Sequence, residues 1–278
     1  MPALLDILQQ RFPESSTTTL RKMLKRDGVR VNGVVVRDAK YAVAPDDIVD
    51  CGDSTRVRRI DPRLRIIFED IDLVVVDKPP ELLTVATAQE KHATVEALLN
   101  AYYNARSGEY RVHVVQRLDR DTSGVLVLAR TTFVRDRLQE LFAEHDIERT
   151  YVAIVHGALD PPSGTFRSFL AEDDSLRVRS IADVASGKEA VTHYRTTRAG
   201  KRYSMLEVNL ETGRRNQIRV HLSEAGHPVL GDTMYGQEKD AFPRLALHAL
   251  HLAFVHPRTR KRVAFTSPLP DAMATLKL

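Results

Sequence analysis

The chain has 278 residues, of which 43% are hydrophobic and 28% charged, a balance typical of globular rather than disordered or fibrous proteins. Lysine and arginine outnumber the acidic residues by 41 to 37, which is compatible with a polyanionic partner such as nucleic acid. The single cysteine, Cys51, excludes an intrachain disulfide and a multi-cysteine metal site. No signal-peptide pattern and no membrane-length apolar run is present, so we expect a cytoplasmic protein without a membrane partner.

The first fifty or so residues predict a small α/β module. The leucine spacing of Leu4–Leu8 predicts one helix, and Leu20–Leu24, preceded by the N-cap candidates Thr17–Thr19, predicts a second. Valines on both sides of the turn Asn32–Gly33, within Val29–Val36, predict a β-hairpin. The second helix carries four basic residues: Arg21, Lys22, Lys25 and Arg26. Such a basic face is usually only solvated, and contact with a phosphate backbone is the alternative.

A charged linker, Arg56–Arg65, separates this module from a larger domain, and we predict domains at 1–55 and 60–278. Strands are expected at 66–68 and 73–76, a short helix at 94–99, an amphipathic helix through 134–142, and antiparallel strands over 151–210. A further helix through 218–222 should end at Gly226. The expected fold class is α+β, with a mixed, mostly antiparallel, bent sheet and flanking helices.

The segment Arg117–Gly124 is the most polar part of the predicted strand region. It lies between two β-branched runs, and loops between buried strands commonly carry functional side chains. Arg117 and Arg120 flank Asp119 and would hold its carboxylate ionised, as a nucleophile requires. The alternative is a polar hairpin in which Thr122 and the residues after it supply ordinary turn chemistry. The segment alone does not decide between the two.

Three later segments are also richer in polar groups than packing requires: Glu148–Tyr151, Glu211–His221 and Gly226–Asp232. Together with Arg117–Gly124 they resemble, in order and spacing, the RNA pseudouridine synthases of the large-ribosomal-subunit type, over residues 60–266. The segment Leu20–Gly33 resembles the α-L RNA-binding motif, which occurs in a small-subunit ribosomal protein and in several RNA-modifying enzymes. The fold implied for residues 60–278 is the pseudouridine synthase fold.

The resemblance implies a role for each matching residue. Asp119 matches the catalytic aspartate, and Arg219 matches the basic residue that pairs with it. Tyr151 matches the tyrosine whose ring packs on the target uracil and which is a candidate acceptor of the carbon 5 proton. Ile218 would pack against that ring, and Arg117 would help to hold the nucleotide out of its helix. The remaining candidates for contact with RNA are basic residues: Arg214 and Arg215, with Arg21, Lys22, Lys25 and Arg26 in the amino-terminal module.

The implied activity is the isomerisation of uridine to pseudouridine in structured RNA, with large-subunit ribosomal RNA as the expected partner and tRNA as the alternative. The reaction consumes no electrons, phosphate or water, so the resemblance implies no cofactor and no metal. A carboxylate can attack or stabilise the anomeric carbon of a sugar, as in retaining glycoside chemistry. We expect the protein to act as a monomer.

The family usually has histidine where this chain has Gln116 and Asn216, and lysine where it has Arg149, a replacement that keeps the charge. Amide side chains form hydrogen bonds but do not titrate near neutral pH. Activity survives if those histidines only orient their neighbours and is impaired if they move a proton. The alternative function is therefore a catalytically silent RNA-binding protein that retains the fold.

Several of these residues also have alternative interpretations. Arg219 lies on an otherwise apolar helix face, where a charged side chain more often points to solvent. Three histidines, His248, His251 and His256, raise the possibility of a metal site, with the first two placed on one helix face, although no carboxylate set accompanies them. A glycosidase that uses Asp119 and Asp121 is disfavoured because the chain has no tryptophan and few aromatic residues.

Overall fold

The structure is a computed structural model that describes residues 1–25, 29–32, 34–45, 47, 49–51, 61–107, 111–175, 177–236 and 242–278. The chain divides into two compact units, Met1–Arg59 with Ala101–Tyr110, and Ile60–Asn100 with Arg111–Leu278. The predicted domain boundary between 55 and 60 lies outside the described residues. Over the described ranges, no helix is both long and apolar enough to cross a lipid bilayer.

The amino-terminal unit contains two helices and a three-stranded sheet: α1 (Leu4–Arg11), α2 (Thr17–Lys25), β1 (Arg30–Val31), β2 (Val34–Val35) and β3 (Val49–Asp50). The strands are antiparallel in the order β2-β1-β3. Leucines of both helices are buried against Val29 and Val31, as the leucine spacing predicts. The Ser16 Oγ accepts the backbone N–H of Thr19 at 3.2 Å, so α2 is capped by Ser16 and already begins at Thr17.

In the part of the larger unit that the structure describes, the sheet has eleven strands: β4 (Arg65–Glu69), β5 (Leu73–Lys78), β6 (His113–Val114), β7 (Ser123–Ala129), β8 (Glu148–His156), β9 (Ser163–Glu172), β10 (Val178–Ile181), β11 (Lys188–Ala199), β12 (Tyr203–Leu210), β13 (Leu247–Val255) and β14 (Arg262–Thr266). Four more helices follow the amino-terminal two: α3 (Val95–Ser107), α4 (Thr132–Ala143), α5 (Gln217–Glu224) and α6 (Asp271–Ala274). The α3 helix is longer than predicted, since neither glycine nor proline interrupts residues 95–107.

The main path of the sheet is β10-β9-β11-β12-β8-β13-β7-β5-β4, with β14 on β13 and β6 on β7. Among the strands that the structure describes, every pairing is antiparallel except that of β13 with β7, which confirms the predicted mixed, mostly antiparallel sheet. Buried side chains of β5, β7 and β13 pack against Val134 and Leu138 of α4. The prediction that His248 and His251 share a helix face is wrong: both lie on β13, whose backbone bonds to strands on both sides.

The parallel pairing of β7 with β13 positions the polar loop before β7. Ala249 of β13 is in register with Gly124 of β7 on one side and with Tyr151 of β8 on the other. Gly124 has a φ of 114°, and a Cβ at this position would lie 2.1 Å from the Ala249 carbonyl oxygen. Only glycine permits this approach. The register therefore brings the loop that contains Asp119 close to the strand that carries Tyr151.

Candidate active site

A cavity of about 500 Å³ lies where the loop before β7, the start of β8 and the loop between β12 and α5 converge. Six of the predicted site residues line it: Arg117, Asp119, Tyr151, Arg214, Ile218 and Arg219. They are separated by as much as 102 positions in the sequence, from 117 to 219, and the sheet register brings them together. Cavities of this size that contain a few convergent polar groups are typical of ligand sites.

Arg219 connects two carboxylates. Its Nη1 lies 3.8 Å from Oδ2 of Asp119, while its Nε and Nη2 donate to both carboxylate oxygens of Asp232 at 2.7 and 2.8 Å. The side chains of Arg219 and Asp232 are only 7% and 0% exposed, so the competing interpretation, in which Arg219 points to solvent, does not hold. The buried guanidinium is tolerated because Asp232 compensates its charge. Sequence reasoning gave Asp232 no role, because nothing local to residue 232 indicates its partner.

Burial raises the pKa of Asp119 above its ordinary value. The charge of Arg219 opposes this rise most, followed by a hydrogen bond from the backbone N–H of Asn216 and by the charges of Lys78 and Arg117. Arg117 therefore lowers the pKa as predicted, but it is exposed, and its influence is smaller than that of burial and of the buried Arg219. The charged form of Asp119 therefore depends on the buried groups around it.

Tyr151 is buried on β8 and lines the cavity together with Ile218. Burial raises the pKa of its phenol, the nearby Asp119 carboxylate raises it further, and Arg149 lowers it. The phenol is therefore protonated at neutral pH in the ligand-free protein. In this state Tyr151 offers a ring face for packing and a hydroxyl for hydrogen bonding.

Asn216, at one of the two positions where the family usually has histidine, orients Arg219. Its backbone has a φ of 54°, in the left-handed region that asparagine tolerates better than most residues. Its Oδ1 accepts a hydrogen bond from Arg219 Nη1 at 3.0 Å, and its Nδ2 donates to the Tyr235 hydroxyl at 3.2 Å. An amide performs this orienting role without titrating. At the other of these positions, Gln116 lines the cavity, and its Nε2 is buried without a hydrogen-bond partner.

Gln217 fixes the loop between β12 and α5. Its Oε1 accepts the backbone N–H of Arg214 at 2.9 Å and the Thr212 hydroxyl at 2.8 Å. Its Nε2 donates to the Val191 carbonyl and to the Thr192 hydroxyl. The four hydrogen bonds of the Gln217 amide thus hold the loop between β12 and α5 against β11. The sequence did not indicate this role of Gln217, because its partner Thr192 lies 25 positions away in the chain.

Lys78 is a fully buried ammonium group beneath the loop that contains Asp119. Its Nζ donates to three carbonyl oxygens, those of Pro79 at 2.9 Å, Leu82 at 2.7 Å and Arg120 at 2.9 Å. The last of these ties β5 to the residue that follows Asp119. Burial lowers the pKa of Lys78 from 10.5 to about 7. A methionine here would keep the size of the side chain and lose the charge.

The Lys78→Met variant should show a flatter dependence of stability on pH. An unfolded chain keeps the lysine proton up to about pH 10.5, whereas the folded protein loses it near pH 7. Between these values the unfolded state binds more protons, so the native free energy of unfolding rises with pH, by at most about 1.4 kcal/mol per pH unit from this group. Urea midpoints at pH 6.5 to 9.5 measure the slope. The exposed Lys201→Met is the control, and equal slopes for both variants would contradict the lowered pKa.

The remaining predicted RNA contacts are basic residues outside the buried centre. Arg214 is exposed and donates from its Nε to the Glu189 carbonyl at 2.9 Å. Arg215 pairs with Glu172 at 3.0 Å and does not line the cavity. In the amino-terminal unit, three α2 residues are exposed opposite buried Leu20 and Leu24: Arg21, Lys22 and Lys25. Arg26 lies outside the described residues.

The histidines considered as metal ligands serve other purposes. His248 bonds to Ser123 and to the Ser267 carbonyl, and His251 bonds to Thr266. His256 does lie near two carboxylates, with ligand atoms of the three residues within 4.8 Å: Asp70, Asp72 and His256. Its Nδ1 accepts the backbone N–H groups of residues 258 and 259, so the Nε2 carries the proton and donates to Asp70 at 3.0 Å. The lone pair of Nδ1 is thus engaged by these two N–H groups, and the protonated Nε2 has none to offer a metal.

Two family models and several known proteins match this chain. Residues 72–224 match the family model described as RNA pseudouridylate synthase, and residues 4–49 match that of the S4 domain. The ribosomal large subunit pseudouridine synthase D of Zymomonas mobilis is 41% identical over 229 residues, which is 77% of this chain and 71% of the relative. The protein of the same name from Vibrio cholerae is 32% identical over 285 residues, 96% and 87% of the two chains.

Among solved structures, the fold is similar to that of human RNA pseudouridylate synthase domain containing 4. The TM-score is 0.63 at 24% identity, and the match covers 76% of this chain and 90% of the human chain. The similarity confirms the predicted fold of the larger unit.

Proposed function

Because the chain belongs to the RNA pseudouridylate synthase family and carries an S4 RNA-binding domain, we propose that it isomerises uridine in large-subunit ribosomal RNA with Asp119 as the nucleophile. One observation carries the assignment of Asp119: Arg219, buried and anchored by Asp232, approaches its carboxylate in the cavity that Tyr151 also lines. The choice of RNA is supported by the names of the relatives at 41% and 32% identity.

In the proposed mechanism, the Asp119 carboxylate attacks or stabilises carbon 1′ of the ribose while the bond from carbon 1′ to N1 of uracil breaks. The detached uracil turns, its carbon 5 bonds to carbon 1′, and the carboxylate is released. Carbon 5 loses a proton and N1 gains one, so the product is an isomer of the substrate. Arg219 orients the carboxylate, and Tyr151 with Ile218 packs on the base.

The target base must leave its helix before it can enter the cavity. Extrusion costs a few kcal/mol, and stacking on an aromatic ring such as that of Tyr151 offsets roughly 1–3 kcal/mol of it. Arg117 would hold the nucleotide out of the helix, and Arg214 and Arg215 would contact phosphates. The basic residues of α2, Arg21, Lys22 and Lys25, would contact the RNA backbone together with Arg26, the next residue in the sequence. We expect the affinity for RNA to fall steeply as the salt concentration rises. We also propose that the enzyme is a monomer and, since its substrate is ribosomal RNA, that it acts in the cytoplasm.

The alternative of a catalytically silent RNA-binding protein rests on Gln116 and Asn216. The hydrogen bond from Arg219 to Asn216 disfavours it, since an amide at 216 satisfies the orienting role. A silent protein would also have no chemical use for a buried arginine shared between Asp119 and Asp232.

The substrate is tested by tritium release from RNA labelled at carbon 5 of uridine. We expect the native protein to release tritium from unmodified large-subunit ribosomal RNA and much less from small-subunit RNA or tRNA. Release from tRNA alone would contradict the proposed substrate while leaving the reaction intact. Tight, salt-sensitive binding of every RNA without any release would instead favour the silent protein.

A further inference from the structure

Arg149 is a buried cation that no carboxylate neutralises among the residues that the structure describes. Its side chain extends from β8, lines the cavity, and the residue is only 9% exposed. Its Nη2 donates to the carbonyl oxygens of Leu210 at 3.2 Å and Glu211 at 2.9 Å, and the guanidinium lies 5.5 Å from the centre of the Phe142 ring. Its Nε is buried without a hydrogen-bond partner. None of the ion pairs in the described parts of the chain includes Arg149.

The other arginines around the cavity differ from Arg149. Arg219 is neutralised by Asp232, and Arg117 and Arg214 are exposed to water. Burying a cation without a counter-ion costs several kcal/mol, and neutral carbonyls offset only part of this cost. Arginine does not lose its proton to avoid it. The missing anion is therefore expected to arrive with the substrate.

Buried polar atoms without partners are concentrated around this cavity. Six buried side-chain atoms have no hydrogen-bond partner within the described ranges, and three of them belong to residues that line this cavity. These are Gln116 Nε2, Thr122 Oγ1 and Arg149 Nε. A cavity rich in unused donors suits a ligand rich in acceptors, and the two carbonyl oxygens of uracil are such acceptors.

We propose that Arg149 is a further catalytic residue, which stabilises the negative charge on uracil while its bond to the ribose is broken. The inference rests on the proposed function. Arg149 and Tyr151 are two residues apart on one strand, so their side chains project from the same face. A uracil packed on the Tyr151 ring therefore lies beside the Arg149 guanidinium.

The charge that Arg149 would stabilise exists only during the reaction. When the bond from carbon 1′ to N1 breaks, its electron pair stays on uracil and spreads over N1 and the two carbonyl oxygens, while carbon 1′ is stabilised by Asp119. When carbon 5 bonds to carbon 1′ and then loses its proton, and N1 is protonated, the ring is neutral again. A fixed cation in a dry cavity therefore lowers the energy of the transition state more than that of bound uridine.

The test compares uridine with 5-fluorouridine at the target position of a ribosomal RNA fragment, in single-turnover reactions. Fluorine withdraws electrons and makes uracil a better leaving anion, so 5-fluorouridine needs less help from Arg149. Carbon 5 of 5-fluorouridine has no proton to lose and keeps its fluorine in the product, so for both substrates the reaction is followed as loss of the N-glycoside, by nuclease digestion and mass spectrometry. We expect Arg149→Met to slow the reaction of uridine on the order of 10²-fold or more, and that of 5-fluorouridine at least tenfold less. Affinity for the RNA should change less than about threefold.

Two further variants and one control complete the design. Arg149→Lys keeps the charge and should restore part of the rate on uridine. Gly213→Ala keeps Arg149 but places a Cβ 2.8 Å from its Nη1, and should produce the same selective loss by displacing the guanidinium. Arg195→Met removes an exposed arginine paired with Glu207 at 3.0 Å, and should leave both rates at the native value.

Each other outcome overturns the inference in a recognisable way. Equal losses on uridine and 5-fluorouridine would assign Arg149 a structural role. A weaker affinity with an unchanged single-turnover rate at saturation would show that Arg149 binds a phosphate of the bound nucleotide instead. If the native protein converts uridine in no RNA, the proposed function fails and this inference fails with it, whereas the other two outcomes leave the proposed function intact.

Discussion

Replacing Asp119 by asparagine should abolish the isomerisation, with a rate reduced by a factor on the order of 10⁴ or more, as is common when a nucleophile is removed. The amide is nearly the same size as the carboxylate but carries no charge, so it neither attacks nor stabilises carbon 1′. Binding of RNA should be preserved, because the proposed phosphate contacts come from arginines elsewhere. Tritium release and filter binding on the same RNA measure the two effects separately.

Asp121→Asn is the matched control for this substitution. Asp121 lies two residues further along the same loop, carries the same charge and does not line the cavity. We expect it to retain most of the native tritium release. If Asp119→Asn also releases tritium at the native rate, the nucleophile has been misassigned. If both variants lose activity equally, the loop needs its charge for its conformation rather than for catalysis.

Gly124→Ala should lower the free energy of unfolding by about 3–5 kcal/mol, a large part of the 5–15 kcal/mol typical of folded proteins. The added Cβ would lie 2.1 Å from the Ala249 carbonyl oxygen, and the φ of 114° is unfavourable for any residue with a side chain. Relieving the overlap requires β7 and β13 to separate where they pair in parallel. The same movement displaces Asp119 from Tyr151, so activity should fall with stability.

Gly226→Ala separates the two causes of that loss. Gly226 also has a positive φ, 82°, but a Cβ there would meet nothing within 4 Å. We expect it to cost only about 1 kcal/mol, from backbone strain alone. Urea unfolding of both variants gives the comparison. Equal losses at the two positions would show that the close approach of β7 and β13 does not limit stability.

Several helices and strands of this protein can be predicted from short stretches of sequence, because neighbouring residues determine them. The buried leucines of α1 and α2 follow helical periodicity, and the run Leu73–Val76 is apolar because both of its faces are covered. Family motifs identified the polar loop around Asp119 and the strand that carries Tyr151. Local pattern was misleading at His248 and His251, where a spacing of three residues suggested a helix although both residues lie on β13.

The sequence by itself determined the fold class, the family and six of the residues that line the cavity, because motif order and apolar periodicity are properties of the chain. The tertiary structure alone decided how those residues are charged and paired. Arg219 is buried because Asp232 arrives from a different segment, and Asp119 has a raised pKa because burial outweighs its exposed neighbours Arg117 and Arg120. Desolvation and ion pairing depend on distances through space, and the parallel pairing of β7 with β13 that sets those distances has no local signature in the sequence.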